Sequence, residues 1–483
     1  MQPPIPRSRA RRARTAVLAA AACLALTGAA SPPEPLGIGD PLFPYLGNPG
    51  YDVSSYTVGF TYTGNNTKPM EAVTAIDAVA TGALDRFNLD FANGTVRSVV
   101  VDGADAEFAV AGEDVVVTPR QAVPLGRPFH VVVRHTSDPS GPQVGGWVRT
   151  RDGLVMANQA DAAHRVFPCN DHPADKANFT FQVVAPQELT VVANGLGGVR
   201  ERRGGQALSV FSTSHPMAPE LAQVSIGRSA VLRREGPGGL PVRDVVPTRD
   251  ARGLERLLSR TPGHIAWMEK QVGSYPFEAY GVLVADAETG FELETQTLSL
   301  FERSLFARRD QPDWYVESIM VHELAHQWFG NSVSPHRWAD LWLNEGHATW
   351  YESLFAQEFG GQPLEQRMRA AYADSDRWRV QGGPPAAPQS ATGQIGIFRP
   401  VVYDGSALVL YALRQEVGEE AFAQVERRWV SEHRDGVATT TDFTRLASEV
   451  AGRDLTDFFE GWLYGAKTPP MPGHPDWRSE PVD

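Results

Sequence analysis

The chain has 483 residues, of which 42% are hydrophobic and 21% are charged, a balance typical of folded globular proteins. This composition excludes a disordered chain, a collagen and a coiled coil, and the length suggests two or three domains that can each bury a core. The formal net charge of −13, from 44 basic and 57 acidic residues, argues against a nucleic-acid partner, because such a chain repels a phosphate backbone.

The first 30 residues have the pattern of an export signal. Five arginines and no acidic residue stand in this stretch, which continues with an apolar run at 15–27 and small residues at 28–30. A run of 13 residues is too short to span a bilayer comfortably, so we predict a signal peptide over 1–30 and an exported protein, extracellular or at the cell surface, without a membrane span. Cys23 is a candidate for lipid anchoring, although the usual leucine does not precede it.

The next part of the chain predicts β structure. Residues 31–50 are rich in proline and glycine and predict an extended linker, and 51–235 contain short β-type runs separated by turn signals such as Asn93-Gly94. This spacing predicts an all-β, saddle-like sandwich as the N-terminal domain. Once Cys23 leaves with the signal, Cys169 is the remaining cysteine, so we expect no internal disulfide and a packed core thiol.

Helical periodicity begins near residue 249 and dominates the rest of the chain. We predict a helix over 254–271, a strand over 281–285 and mostly helices from 314 to 459. Together these elements predict a mainly α-helical domain with a small sheet over 236–470. Residues 471–483 are rich in proline and predict an irregular tail.

One short motif inside the helical domain predicts a metal site. Residues 322–326 read H-E-L-A-H, in a helix expected to start after Pro312 and to stop at Gly330. Because positions i and i+4 share one helix face, His322 and His326 can present two imidazoles to one Zn²⁺. Glu323 is rotated by about 100° from His322, which suits a base acting on a water rather than a ligand.

A catalytic zinc needs a third protein ligand, and Glu345 is the candidate. It stands in W-L-N-E-G, in the first turn of a second helix that we predict to end at Gly360. The alternative is an acid favoured there by the helix dipole. Glu352, two turns further on, is either a partner of a ligand histidine or a solvated acid. We expect structural or pocket-lining roles, without metal binding, for four other histidines: His164, His172, His336 and His347.

These residues resemble the aminopeptidase N-type zinc metallopeptidases, which are gluzincins and include the leukotriene-hydrolase branch. The zinc motif H-E-L-A-H-Q-W-F-G-N and the W-L-N-E-G segment match, with the glutamate 19 positions after the second histidine. Three further segments are similar to the family's: residues 166–176 (V-F-P-C-N-D-H-P-A-D-K), 290–297 (G-F-E-L-E-T-Q-T) and 403–407 (Y-D-G-S-A). The resemblance covers about 50–470 and implies a thermolysin-like catalytic domain in a short two-domain form.

The resemblance also implies roles for residues outside the zinc motif. Tyr403 would donate a hydrogen bond to the oxyanion, and Glu294 would bind the free amine of the substrate. Gln159 falls where the family has a second amine-binding residue, and Glu292 is a rival to Glu294. In the family's G-x-M-E-N motif only the glutamate, Glu294, is retained, a departure that leaves the zinc ligands intact.

The resemblance therefore predicts an exported zinc aminopeptidase with one Zn²⁺ per chain, acting on peptides with a free N-terminus. A zinc endopeptidase of thermolysin type and a non-catalytic peptide-binding member of the same fold are the alternatives. The sequence does not determine the side-chain preference or the oligomeric state.

Overall fold

The computed structural model describes residues 34–141, 145–307, 310–389 and 396–480. The predicted signal peptide and the lipid-anchor candidate Cys23 lie outside the described residues, and their prediction stays untested. Within the described ranges, no helix combines the length and the apolar character that crossing a bilayer requires.

The N-terminal part is built from strands, as predicted. In chain order they are β1 (Tyr51–Thr61), β2 (Met70–Ala80), β3 (Phe87–Asp90), β4 (Val96–Val101), β5 (Ala104–Ala111), β6 (Asp114–Thr118), β7 (Pro128–Ser137), β8 (Gly146–Arg149), β9 (Leu154–Ala157), β10 (Asn178–Pro186), β11 (Thr190–Ala193), β12 (Leu196–Arg203), β13 (Gln206–Ser212) and β14 (Val224–Gly227).

These strands form two open sheets that share one core. The larger sheet has ten strands in the order β12-β13-β10-β1-β2-β7-β4-β5-β6-β3, and the smaller has the order β11-β14-β9-β8. In β1 the inward-facing side chains alternate, so that Tyr56, Val58 and Phe60 are buried. Cys169 is fully buried in the same core, which confirms the prediction of a packed thiol.

Residues 34–50, predicted as a linker, form no strand or helix but are fixed by buried contacts. The Asp40 carboxylate accepts hydrogen bonds from Leu42 N (2.8 Å) and Trp338 N (2.8 Å), and it contacts His172 Nε2 (3.2 Å). Phe43 packs edge-on against Trp338. This segment therefore joins the β-rich part to the helical part.

The helical part begins with a small mixed sheet and continues with helices. Its elements are β15 (Ser229–Glu235), β16 (Pro241–Pro247), α1 (Ala251–Leu258), α2 (Thr261–Val272), β17 (Val282–Ala285), β18 (Ser299–Glu302), α3 (Arg303–Ala307), α4 (Asp313–Ala325), β19 (Ser334–Pro335), α5 (Trp342–Phe359), α6 (Leu364–Gly382), α7 (Asp404–Val417), α8 (Glu419–Glu432), β20 (Val437–Ala438), α9 (Thr440–Ala451) and α10 (Thr456–Phe459). The mixed sheet has the order β15-β16-β17-β18.

The predicted fold class is confirmed: an open, large-sheet β part precedes a mainly helical part with a small sheet. The single helix predicted over 254–271 is wrong, because α1 and α2 are separate. Pro262 stands in the first turn of α2, where its ring fits, but it could not continue a helix that began at Ala251. The predicted boundary at residue 235 stays a prediction.

Candidate metal centre

The two histidines of the H-E-L-A-H motif lie at the buried end of α4. His322 is the fourth residue from the end of this helix, and His326 caps it. Their rings meet edge-on with centroids 4.9 Å apart, as the i, i+4 spacing predicts. Both side chains are buried in the helical core, so their ring nitrogens face protein groups rather than bulk water.

Glu345 reaches these histidines from the first turn of α5. Its Oε2 atom lies 3.3 Å from His322 Nε2 and 3.4 Å from His326 Nε2. Burial by itself would raise the pKa of Glu345, but the two imidazoles beside it lower this pKa to about 2. The carboxylate is therefore charged and points at the two Nε2 atoms that would bind the same metal ion.

The remaining ring nitrogens of both histidines are fixed by other groups. His322 Nδ1 donates to Glu352 Oε2 (3.1 Å), and His326 Nδ1 donates to the Phe329 carbonyl (3.1 Å). Such partners set the tautomer and the ring orientation of metal-binding histidines. Of the two readings of Glu352 from the sequence, the structure favours the partner of a ligand histidine.

These residues fit a metal ion. The ligand atoms of His322, His326 and Glu345 lie within 4.8 Å of one another and are buried. Two imidazoles and one carboxylate are a donor set of catalytic zinc sites with an open fourth position. The ligand atoms of Glu294, Glu323 and His326 also lie within 4.8 Å of one another, so two further carboxylates border the centre.

Glu323 contributes a carboxylate oxygen that has no hydrogen-bond partner among the described residues. Its Oε2 atom is buried and accepts no hydrogen bond within the described part of the chain. Burial and the carboxylates of Glu294 and Glu292 raise the pKa of Glu323 to about 8, against the lowering effect of the two histidines. A buried oxygen without a partner beside a ligand set suits a group that works on a water or a substrate atom.

Glu294 lies on the loop before β18 and is buried. Its Oε1 atom accepts a hydrogen bond of 2.6 Å from Gln159 Nε2, which comes from the β-rich part. The two candidates for amine binding are therefore in contact although 135 residues separate them in the chain. Burial raises the pKa of Glu294, which means that the ionised carboxylate would gain from a cationic ligand.

Glu292, the rival candidate, does not share this contact. It is half-buried, and burial together with Glu302 raises its pKa to about 7. Because Glu294 contacts Gln159 and belongs to the group around His326, the geometry favours Glu294 for the amine. The roles of Gln159, Glu292 and Glu294 stay predictions.

The structure also shows supporting residues that the sequence analysis missed. The Glu294 carbonyl accepts hydrogen bonds from Gln327 Nε2 (3.1 Å) and Asn331 Nδ2 (2.7 Å). Both belong to the H-E-L-A-H-Q-W-F-G-N segment, so the motif could have indicated that they matter. Its spacing does not reveal that they bind the Glu294 carbonyl. Lys176 Nζ donates to the carbonyls of Asn331 (2.8 Å) and Ser332 (2.9 Å), which fixes the loop after α4.

Tyr403 borders the centre from the start of α7. Its ring centroid lies 6.0 Å from that of His322. Burial, followed by the nearby carboxylates, raises the pKa of Tyr403 well above its usual value, so the phenol keeps its proton. A protonated phenol at this position can donate a hydrogen bond to an oxygen that gains negative charge.

Three of the four other histidines are engaged in structural contacts. His347 stacks on Phe329 and contacts Glu426 Oε1 at 3.2 Å. His164 pairs with Asp171, and His172 pairs with Asp40. His336 is exposed. None of the four belongs to a possible metal-binding group within the described residues, and their expected lack of a metal role stays a prediction.

Two family models match this chain. The peptidase M1 N-terminal domain matches residues 154–220, and the peptidase family M1 domain matches residues 258–462. The first match contains Gln159, and the second contains the three candidate ligands, Glu323 and Tyr403.

Curated proteins that are similar to this chain include named aminopeptidases. The chain is 26% identical to "Probable aminopeptidase 1" of Saccharolobus solfataricus over 88% of this chain and 54% of that protein. It is 29% identical to "Leucyl aminopeptidase" of the same organism over 67% of this chain and 42% of that protein. The chain therefore spans about half the length of these curated relatives.

A solved structure of similar length also matches. The M1 zinc metallopeptidase from Deinococcus radiodurans aligns with a TM-score of 0.75 and 26% identity, over 90% of this chain and 98% of that one. A mutant of that protein has been crystallised with a Tyr-Ser-Ala substrate.

Proposed function

The chain belongs to the peptidase M1 family, and on this premise we propose that it is a zinc-dependent aminopeptidase, releasing N-terminal residues from peptides. The observation that supports this most strongly is the meeting of His322, His326 and Glu345 beside the unpartnered carboxylate oxygen of Glu323. A bound Zn²⁺ would act as a Lewis acid and would lower the pKa of water at this position.

The chain's own residues provide the proton transfers and the charge stabilisation. Glu323 Oε2 accepts a proton from the attacking water and returns it to the nitrogen of the leaving amine. Burial raises the pKa of this carboxyl group above its usual value, which favours the protonated form that this step produces. The Tyr403 hydroxyl donates a hydrogen bond to the oxygen of the scissile carbonyl as negative charge develops on it.

Selection of the substrate's free N-terminus rests on Glu294 and Gln159. The ammonium group of the substrate pairs with the buried Glu294 carboxylate, whose Oε1 atom is held in place by Gln159 Nε2 (2.6 Å). A buried carboxylate is costly without a cationic partner, so a peptide lacking the free amine gains no comparable interaction. This pairing supports an aminopeptidase rather than an endopeptidase of thermolysin type.

Two substitutions and two kinds of peptide test the proposal. Glu323→Gln should retain bound zinc and lose about 10²-fold or more in kcat, because the proton acceptor is gone. Glu294→Ala should retain zinc and lose kcat/KM on free-amine substrates, while Glu288→Ala, on an exposed glutamate of the same region, should match the wild type. Zinc is measured by atomic absorption, and turnover with aminoacyl reporter substrates with and without a chelator.

Several outcomes would refute the proposal. If the purified protein contains no zinc and binds none on titration, the proposed metal site is wrong. Equal cleavage of peptides with free and acetylated N-termini would favour the endopeptidase, and binding of peptides without any cleavage would favour the non-catalytic alternative.

We also propose that the protein is exported, on the strength of the signal-type pattern at residues 1–30. N-terminal sequencing of protein secreted by an expressing cell should show a new terminus near residue 31. A lipid on Cys23 would appear as an added mass on the mature N-terminal peptide.

A further inference from the structure

Arg367 joins two carboxylates that belong to different helices. From α6, its Nη1 atom donates to Glu352 Oε1 (2.9 Å), and its Nη2 and Nε atoms donate to Asp404 Oδ1, both at 3.1 Å. All three side chains are mostly buried, with 22%, 18% and 33% of their surfaces exposed. A planar guanidinium with several donors can hold two acceptors in fixed directions, which a lysine ammonium on a flexible stem cannot do.

Each carboxylate continues to a different part of the metal centre. The other oxygen of Glu352 accepts the hydrogen bond from His322 Nδ1 (3.1 Å), so this carboxylate orients a metal ligand. Asp404 is the first residue of α7 and directly follows Tyr403. Arg367 therefore stands between the residue that orients His322 and the residue that begins the helix behind Tyr403.

We propose that Arg367 is a positioning residue, coupling the orientation of the metal ligand His322 to the placement of the Tyr403 hydroxyl. The half of this inference that concerns Tyr403 rests on the proposed function, whereas the half that concerns His322 needs only a bound metal. Without the guanidinium, the partly buried carboxylates of Glu352 and Asp404 would lose the cation that they share. Glu352 would then turn toward other donors, and the start of α7 would lose its ion pair with α6.

A purely structural role, in which Arg367 only fastens α6 to its neighbours, makes different predictions. If Arg367 only holds α6 in place, its loss should lower the free energy of unfolding. The zinc affinity, which depends on Glu352, and kcat, which depends on Asp404, should then stay unchanged. Metal affinity and the separation of kcat from KM therefore distinguish the two roles.

The first experiment measures the zinc dissociation constant by competition with a chromophoric chelator, in the absence of substrate. Arg367→Met should bind zinc about 10- to 100-fold more weakly, the usual effect of removing a residue that supports a metal ligand. The matched control is Arg369→Met on the same helix, because Arg369 is exposed and pairs with exposed Asp476 at 3.5 Å. We expect this control to retain wild-type affinity.

A double-mutant cycle tests whether the effect passes through Glu352. If it does, Glu352→Gln combined with Arg367→Met should bind zinc within about twofold of Glu352→Gln alone. If the losses of zinc affinity in the two single variants multiply in the double variant, Arg367 does not act through Glu352. Equal zinc affinity in Arg367→Met and Arg369→Met would likewise overturn the inference that Arg367 orients His322. Should Arg367→Met fail to fold, Arg367→Lys replaces it in the cycle and should show a smaller loss of affinity that vanishes in the same way.

The second experiment measures turnover at saturating zinc. Asp404→Asn should lower kcat severalfold with little change in KM, because Tyr403 acts on the developing oxyanion. Unchanged kcat, or a change in KM alone, would overturn the Tyr403 half. A wild-type protein that binds zinc but hydrolyses no peptide would refute the proposed function, and the zinc measurements on Arg367 would still decide the metal half.

Discussion

Substitution of Gly346 by alanine should impair catalysis more than it impairs stability. Gly346 follows Glu345 in α5, and a Cβ atom added to it would lie 2.7 Å from the Cβ atom of Ser406 in α7. Carbon atoms in contact are normally about 3.5–4.0 Å apart, so the start of α7 would have to move by about 1 Å. This movement would displace Tyr403, three residues before Ser406.

The expected loss of stability is small and the expected loss of activity is large. Overpacking of this kind costs about 1–3 kcal/mol, and the better helix propensity of alanine returns about 1 kcal/mol, so the net loss of stability is at most about 2 kcal/mol. A displacement of about 1 Å at a reacting group lowers the rate about 10²-fold. We therefore expect Gly346→Ala to stay folded and to lose most of its kcat/KM.

The assay compares calorimetric unfolding with kcat/KM on an aminoacyl reporter. Gly253→Ala is the matched control, because Gly253 lies in α1 and an added Cβ would meet nothing within 4 Å. The free energy of unfolding of that variant should rise by about 0.5–1 kcal/mol, and its activity should stay unchanged. If Gly346→Ala behaves like the control in both measurements, the close contact between α5 and α7 does not position Tyr403.

Two other residues give predictions for stability and pH. Lys176→Met removes the ammonium that donates to carbonyls of the loop after α4 and should cost about 2–4 kcal/mol in denaturant unfolding, whereas Lys467→Met, on an exposed lysine, should change stability by less than about 0.5 kcal/mol. Equal losses of stability in the two variants would show that Lys176 does not stabilise the loop after α4. Burial lowers the pKa of His164, but its hydrogen bond with Asp171 (2.6 Å) and the carboxylate of Glu113 at 3.5 Å raise this pKa to about 10. Because this folded-state pKa lies above the unfolded value of about 6.5, the stabilisation is complete below pH 6.5 and is lost as pH rises toward 10. The difference in unfolding free energy between wild type and His164→Gln should therefore shrink over that range, and a constant difference would contradict the assignment.

The sequence predicted features that depend on local backbone geometry. A helix places every fourth side chain on one face, so the spacing of His322 and His326 was enough to predict that they meet. Gly360 was expected to end α5, and it does so with a φ of 112°, which a glycine adopts without strain. The alternation of apolar residues in the first half likewise predicted β structure, whose open sheets the structure confirms.

Contacts between distant segments were decided by the tertiary structure alone. The hydrogen bond between Gln159 and Glu294 joins residues 135 positions apart, and the contact between Asp40 and Trp338 joins residues 298 positions apart. Local periodicity carries no information about such pairs, because they depend on how two cores pack against each other. The helix break at Pro262 is a local feature that the periodicity of its apolar neighbours concealed.

The amino-acid sequence by itself therefore identified the candidate metal ligands, since the i, i+4 spacing places His322 and His326 on one helix face and the second motif supplies Glu345. Only the tertiary structure decided which residues support them. The packing of distant segments decided that Gln159 contacts Glu294 and that Glu352, of its two interpretations, is the partner of His322. These partners act through directional hydrogen bonds and ion pairs, and such bonds exist only when folding has brought both groups within about 3 Å.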